Sequence, residues 1–279
     1  MISFEIFYLS LMAWISVYGV HRFWLVWGAR ANPDTGSPVT PLSMAEELSD
    51  AERVARFPRV IVQLPIYNEP AVIERLLESA AALDWPRDRL EIQVLDDSTD
   101  GSSEEVARRV EALRDEGVPI FHLHREDRTG FKAGALQAGL ERTEAEFVAM
   151  FDADFVPPAD FLLRALPEFA EDGRLAMVQG RWGFLNTTAN WLTRLQATLL
   201  DGHFHVEHRA RAGAGRFFNF NGTAGVWRIE AIRDSGDWRS DTITEDLELS
   251  LRAWLRGWRF RYRPDLVAPS ELPERMAAF

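Results

Sequence analysis

The chain has no cysteine. Disulfides, thiolate zinc sites, iron–sulfur clusters and cysteine nucleophiles are therefore excluded. Positive charge is also in short supply: 31 basic residues face 43 acidic ones, for a formal net charge of −12. That balance excludes a protein that grips phosphates through a broad basic surface, so no nucleic-acid partner is expected. A small phosphate site carrying its own metal ion stays open. Repeats and low-complexity tracts are absent as well, which excludes a solenoid. What is present is 279 residues with 47% hydrophobic content. That is enough for a sizeable core and too much for a disordered chain.

Long apolar runs are confined to the N-terminus. Residues 6–20 carry no charge, and after His21-Arg22 the run resumes over 23–27. As a helix this stretch rises ~33 Å, about one bilayer core. Trp14, Trp24 and Trp27 suit the membrane interface. The alternative is a helix buried in a soluble core. Arg22 and Arg30 follow the run and only Glu5 precedes it, so the chain after Arg30 is expected on the cytoplasmic side of a membrane. Residues 1–30 are thus expected to be a transmembrane anchor, 31–57 a linker rich in turn formers, and 58–279 one folded domain.

From residue 58 the pattern alternates. Strands are expected over 60–64, 90–95, 119–123, 147–151 and 175–182. Helices are expected over 70–83, 102–116, 131–142, 160–169 and 190–209. Strand–helix alternation with short connections implies βαβ units: an α/β fold with a mostly parallel sheet flanked by helices. Ligands bind such sheets outside the carboxyl ends of the strands. Asp96-Asp97 and Asp152-Ala153-Asp154 both fall at that edge.

Two carboxylates spaced i, i+2 at a strand end can hold Mg²⁺ or Mn²⁺ together with a diphosphate, because hard cations take oxygen ligands. A solvated turn is the plainer reading of that pair taken alone. Asp96-Asp97 could hydrogen-bond a ribose or a base. Lys132 beside a helix start suits a diphosphate. Tyr67, followed by Asn68-Glu69, offers a ring on which a base could stack. Thr242 and Glu245 have capping-box spacing ahead of Leu247, Leu251 and Leu255, with Gly257 to end the helix. Asp246 then lies in the first turn, where its anion is stabilised, as a general base requires. Residues 219–228, glycine-punctuated and aromatic-flanked, suit sugar hydroxyls and rings. In 203–208, His205 and His208 would share a helix face and His203 would not. His122 and His124 stand i, i+2 on a strand. A metal site is not expected at either histidine set.

The order of these motifs resembles the family 2 glycosyltransferases of the GT-A type, and among them the cellulose synthase and cellulose synthase-like mannan (glucomannan) synthase branch. The resemblance rests on Leu64-Pro65-Ile66-Tyr67-Asn68-Glu69, Gln93-Val94-Leu95-Asp96-Asp97-Ser98-Thr99-Asp100, Lys132-Ala133-Gly134-Ala135-Leu136 and Phe151-Asp152-Ala153-Asp154-Phe155. It rests also on Val178-Gln179-Gly180-Arg181-Trp182, Phe220-Asn221-Gly222-Thr223-Ala224-Gly225 and Thr244-Glu245-Asp246. It implies a GT-A, Rossmann-like domain over 58–279. It also implies an inverting, metal-dependent transfer of a hexose from UDP-glucose or GDP-mannose to a glycan or lipid acceptor, giving a β-linkage. Tyr67, Glu69, Asp96, Asp97, Lys132 and Asp152 would bind the donor. Asp154, with Asp152, would ligate Mg²⁺ or Mn²⁺, and Asp246 would be the base. Asn221, Gly222, Thr223, Glu245 and Trp182 would line the acceptor side.

In that branch a Gln-x-x-Arg-Trp segment and further transmembrane helices follow the Thr-Glu-Asp helix. Neither is found up to Phe279, so a separate C-terminal transmembrane partner could supply them. Two other readings compete. One is a non-catalytic nucleotide-sugar-binding or assembly subunit. The other is an Asp-x-Asp phosphatase with Asp152 as nucleophile and Asp154 as acid.

Overall fold

The structure is a computed structural model that describes residues 2–31, 40–44, 49, 52–53 and 56–276. Most of the expected linker lies outside those residues.

Seven strands form one mixed sheet in the order β3-β2-β1-β4-β6-β5-β7. They are β1 (Val60–Ile66), β2 (Leu90–Asp96), β3 (Ile120–His124), β4 (Phe147–Met150), β5 (Leu175–Phe184), β6 (Gly225–Arg228) and β7 (Arg259–Ser270). The first four are mutually parallel and β5 pairs parallel with β7. Only β6 runs against its neighbours, pairing antiparallel with both β4 and β5. The parallel strands read as near-continuous apolar runs because helices cover both faces. Along β1, Val60, Val62 and Leu64 join one core layer while Ile61 joins the other. This is the period-two alternation of a pleated strand.

The helices are α1 (Ile2–Ala31), α2 (Pro70–Ala81), α3 (Ser103–Asp115), α4 (Phe131–Leu140), α5 (Phe161–Ala165), α6 (Pro167–Glu171), α7 (Trp191–Asp201), α8 (Arg209–Gly213), α9 (Ile229–Asp234) and α10 (Glu245–Leu255). The helix expected over 160–169 is split in two, because Pro167 cannot donate within a continuing helix and restarts as an N1 residue. The helix expected over 190–209 is interrupted by a π-helical turn, Gly202–His208, between α7 and α8. Strands β6 and β7 were not expected from the sequence. The first is four residues long, and the second mixes charge and proline throughout.

Helix α1 offers a 28-residue span, Phe4–Ala31, of mean hydropathy 1.2 that is only 6% buried. A buried core helix is therefore not what the structure contains. Phe7, Trp14 and Phe23 stand largely exposed. Each would gain roughly 1.5–3 kcal/mol from apolar surroundings. The C-terminal end is docked: Leu25 and Ala29 pack on Ala210, and Arg22 pairs with Glu207 at 3.5 Å.

Helix α4 is the element whose seating bears most directly on the cleft at the strand ends, because Lys132 is its second residue. Two buried glutamines fix it to the sheet. Gln63 Nε2 donates to Gln93 Oε1 at 3.3 Å and to the Leu136 carbonyl at 3.1 Å. Gln93 Nε2 donates to the Gly139 carbonyl at 3.2 Å. At the other end a Cβ on Gly134 would stand 2.2 Å from the Thr129 carbonyl oxygen. Gly134→Ala is therefore expected to push the start of α4 outward and to cost about 1–3 kcal/mol, the usual range for overpacking. Urea unfolding measures it, and an unchanged midpoint would refute it.

Candidate functional site

The carboxyl ends of β1, β2 and β4 open on one cleft of about 320 Å³, lined by Tyr67, Glu69, Asp97, Arg128, Lys132, Asp152 and Asp154 among others. Six residues far apart in sequence, expected to bind donor or metal, thus meet in one place. Parallel pairing is the reason: Ile66 is in register with Asp96, and Gln63 with Met150, so the chain segments beyond these strands emerge at the same edge.

Carboxylates dominate the cleft. Burial, the charge of Asp152 and that of Glu69 push the Asp154 carboxyl up to about 6. Burial and then Asp152 raise Glu69 as well. Lys132 is the counterweight and the only lysine in the chain. It donates to Asp152 and, at 3.0 Å, to the Gly222 carbonyl. Burial alone would lower its pKa, but Asp152, Glu245 and Asp246 hold it above the ordinary lysine value. Glu69, Asp97, Asp152 and Asp154 line the cleft against Lys132 and Arg128, which leaves negative charge uncompensated. The donor set, all oxygen, is of the kind that Mg²⁺ or Mn²⁺ takes, with Asp152 and Asp154 two residues apart at the end of β4.

Asp246 flanks the cleft from α10. Burial raises its pKa, and its Oδ1 accepts from the Leu247 N–H at 2.7 Å. A methyl group on Gly222 would lie 3.4 Å from both Asp246 Oδ2 and Lys132 Nζ. Asp246 and Lys132 therefore face each other across Gly222, which holds a φ of +77 that suits glycine. The expected capping box of Thr242 and Glu245 does not form. Thr244 is the N-cap and makes no side-chain cap bond. Glu245, the first residue of α10, lines a second cavity that shares Lys132.

Other expected residues sit elsewhere. Asp96 is fully buried and turned away from the cleft: it accepts from the Ser98 N–H at 2.8 Å and meets His122 Nε2 at 2.8 Å. Burial would raise its pKa, but the bonds to His122, Ser98 and Ser103 hold it far below the usual carboxylate range. Trp182 is half-buried, packing edge-on against Phe155 at 5.3 Å and also against Phe204. Asn221 points to His203 Nε2 at 3.4 Å, and its N–H donates to Gln179 Oε1 at 3.0 Å. Thr223 is buried, and its hydroxyl accepts from the Asp152 N–H at 2.9 Å. Gly222 and Thr223 therefore brace Lys132 and Asp152, while Asn221, half-buried, is held by Gln179 and His203. The histidine faces also differ from expectation. The π-helical turn places residues five apart together, so His203 meets His208 at 4.2 Å between ring centroids, while His205 turns to Asp201.

Sequence reasoning missed two arginines. Arg125 clasps Asp97 with Nε and one terminal nitrogen at 2.7 and 2.6 Å. Arg128 lies 3.4 Å above the Tyr67 ring. The signal was there: Arg-x-x-Arg closes β3 just ahead of the lone lysine.

The raised acids set a pH dependence. A carboxyl whose folded pKa exceeds its unfolded value contributes stability at low pH and loses it as pH rises through the folded value. In protein stripped of divalent ions, Asp154→Asn should thus raise the melting temperature relative to wild type at pH 7.5 and hardly at pH 4.5. Equal differences at both pH values would contradict this crowding of charge.

Comparison with known proteins agrees with this architecture. Residues 61–232 match the family model described as glycosyl transferase family 2. Glucomannan 4-beta-mannosyltransferase 2 of Arabidopsis thaliana is 45% identical over 252 residues, covering 88% of this chain and 46% of that protein. The probable glucomannan 4-beta-mannosyltransferase 9 of Oryza sativa subsp. japonica is 42% identical, covering 100% of this chain and 53% of that protein. The chain thus spans about half the length of these relatives. Mannosyltransferase PcManGT of Pyrobaculum calidifontis, solved in complex with GDP-Man and Mn²⁺, aligns with a TM-score of 0.71 at 25% identity, over 95% of this chain and 68% of that one. TarS of S. aureus, at 17% identity and a TM-score of 0.55, shares the fold.

Proposed function

The chain belongs to glycosyl transferase family 2, and on that premise we propose that it moves mannose from GDP-mannose to a growing glycan, forming a β-linkage with inversion. The observation that carries this reading is the pairing of a carboxylate-rich cleft with Asp246 on its flank. Names support the sugar: the plant relatives are mannosyltransferases and the archaeal one was solved with GDP-Man and Mn²⁺. UDP-glucose is the alternative donor and a lipid the alternative acceptor.

Tyr67 and Asp97 would receive the base, which requires Arg128 to lift from the ring it covers. Asp154, with Asp152, would hold Mg²⁺ or Mn²⁺, and that ion would supply charge neutralisation for the departing diphosphate; Glu69 would face the donor from the same cleft. Lys132 adds its ammonium from the same side. Asp246 takes the proton of the acceptor hydroxyl. The freed oxygen forms a bond to the anomeric carbon on the face opposite the diphosphate. The bond from that carbon to the diphosphate oxygen breaks, and its electron pair leaves with the nucleotide. A phosphatase reading would make Asp152 the nucleophile, yet its carboxylate is paired with Lys132. Residues 1–30 would anchor the protein in a membrane, 31–57 link, and 58–279 act on the cytoplasmic side. Relatives are about twice as long, so polymer extension would draw on parts beyond these residues, on the same chain or a partner.

Two measurements test the roles. Asp246→Asn should lower transfer from GDP-mannose at least roughly 100-fold, the lower end for losing a positioned base, and leave donor affinity within a factor of about three. Asp154→Asn should abolish the Mn²⁺ dependence of donor binding in calorimetry; unchanged affinity would overturn the metal assignment. The lone lysine gives an independent readout. GDP-mannose with Mn²⁺ should protect Lys132 from reductive methylation, scored by mass spectrometry, and modification at the same rate would place the diphosphate elsewhere.

A further inference from the structure

Behind the cleft, β2 and the sheet-edge strand β3 bring together three ligand-type side chains that the proposed transfer does not use. Asp96 and His124 are in register across the two strands, and His122 stands two residues back on the same face. Each offers a ligand atom within 4.8 Å of the others, the one such group among the described residues. His122 Nε2 lies 2.8 Å and His124 Nδ1 3.6 Å from the same oxygen, Asp96 Oδ2.

A single hydrogen bond from His122 would suffice to satisfy that carboxylate. The second imidazole meets the Ser103 hydroxyl through Nδ1 at 3.2 Å, and the same nitrogen stays within reach of that carboxylate oxygen, so a cation would take His124 from a neutral hydroxyl and not from a charged partner. We propose that Asp96, His122 and His124 form a binding site for a borderline divalent cation, Zn²⁺ by ligand preference, separate from the carboxylate cluster of the cleft. The donor set is two imidazoles and one carboxylate, which suits zinc far better than Mg²⁺ or Mn²⁺. A tetrahedral ion with bonds of about 2.0–2.1 Å keeps its ligand atoms about 3.3 Å apart, and the two observed separations fall on either side of that value. Asp96 is fully buried, whereas the side chains of His122 and His124 are 15% and 36% exposed. The ion would enter from the imidazole side, and water would complete its shell.

The carboxylate already has the outer support such sites use, since the Ser98 N–H holds Asp96 Oδ1. The Ser98 hydroxyl in turn accepts from the Asn68 N–H at 3.0 Å, and Asn68 follows Tyr67. A cation here would thus stiffen the turn that presents Tyr67 and Asp97 to the cleft, without touching the donor.

Zn²⁺ titration of the full chain, untagged and in excess Mg²⁺, tests this. Calorimetry should show one equivalent of Zn²⁺ that survives Asp154→Asn and weakens at least roughly tenfold when His122→Gln and His124→Gln are combined. Zn²⁺ should raise the melting temperature of wild type and not of that double variant. If the double variant does not fold, His124→Gln alone, at the more exposed ligand, should give the same direction. Unchanged affinity in the histidine variants would overturn the proposal. So would loss of the equivalent in Asp154→Asn, or its loss on replacing His203 and His205 instead.

Discussion

Electrostatic crowding at one edge of the sheet is the constraint around which the rest is arranged. Glu69, Asp152 and Asp154 share a small, partly buried cleft, and a like charge beside a buried carboxyl raises its pKa because both ions lose water together. Asp154, pushed up to about 6, records that cost. One lysine offsets it. Lys132 is not held by a flexible loop but by a helix start, and that helix is tied down through two buried glutamines and a close glycine approach at Gly134. Core packing and site chemistry are therefore the same problem here: the charge balance of the cleft depends on how closely α4 lies against β1 and β2.

The reversed strand β6 supplies the other half. Because β6 enters antiparallel beside β4, with Gly225 opposite Met150, the residues just before it arrive at the carboxyl end of β4. The Thr223 hydroxyl and the Gly222 carbonyl then reach the Asp152 amide and the Lys132 ammonium. A parallel strand in that slot would have delivered the segment to the far edge. The loop carries a sugar-binding composition, yet its work in the structure is to hold two charged groups in place and to keep a gap, at Gly222, between the lysine and Asp246.

Docking of α1 reaches the same region. Leu25 and Ala29 rest on Ala210, and Arg22 pairs with Glu207 at the end of the π-helical turn. That turn brings His203 to the Asn221 side chain. A contiguous line of contacts runs from the apolar helix through the π turn to the loop that braces the cleft. A π turn is costly in hydrogen-bond geometry and is kept where it serves a site. Here it aligns residues five apart, so His203 and His208 meet edge to face where a regular helix would separate them.

The sequence alone determined the alternation of strands and helices, the one long apolar helix, and the identity of the acids at the sheet edge. These follow from local periodicity and from Asp-rich strand ends, which any parallel sheet delivers to a common side. Tertiary structure decided which way each side chain turned. Asp96 and Asp97 are neighbours, but the strand pleat sends one toward the histidines of β3 and the other into the cleft beside Arg125. Trp182 and Asn221 belong to motifs that look ligand-facing, and both are half-buried against long-range partners, Phe155 and His203. The capping box at Thr242 does not form because the helix starts at Glu245, with Thr244 as its N-cap. Direction, pairing and charge balance are properties of contacts between distant segments, and no local pattern along the chain encodes them.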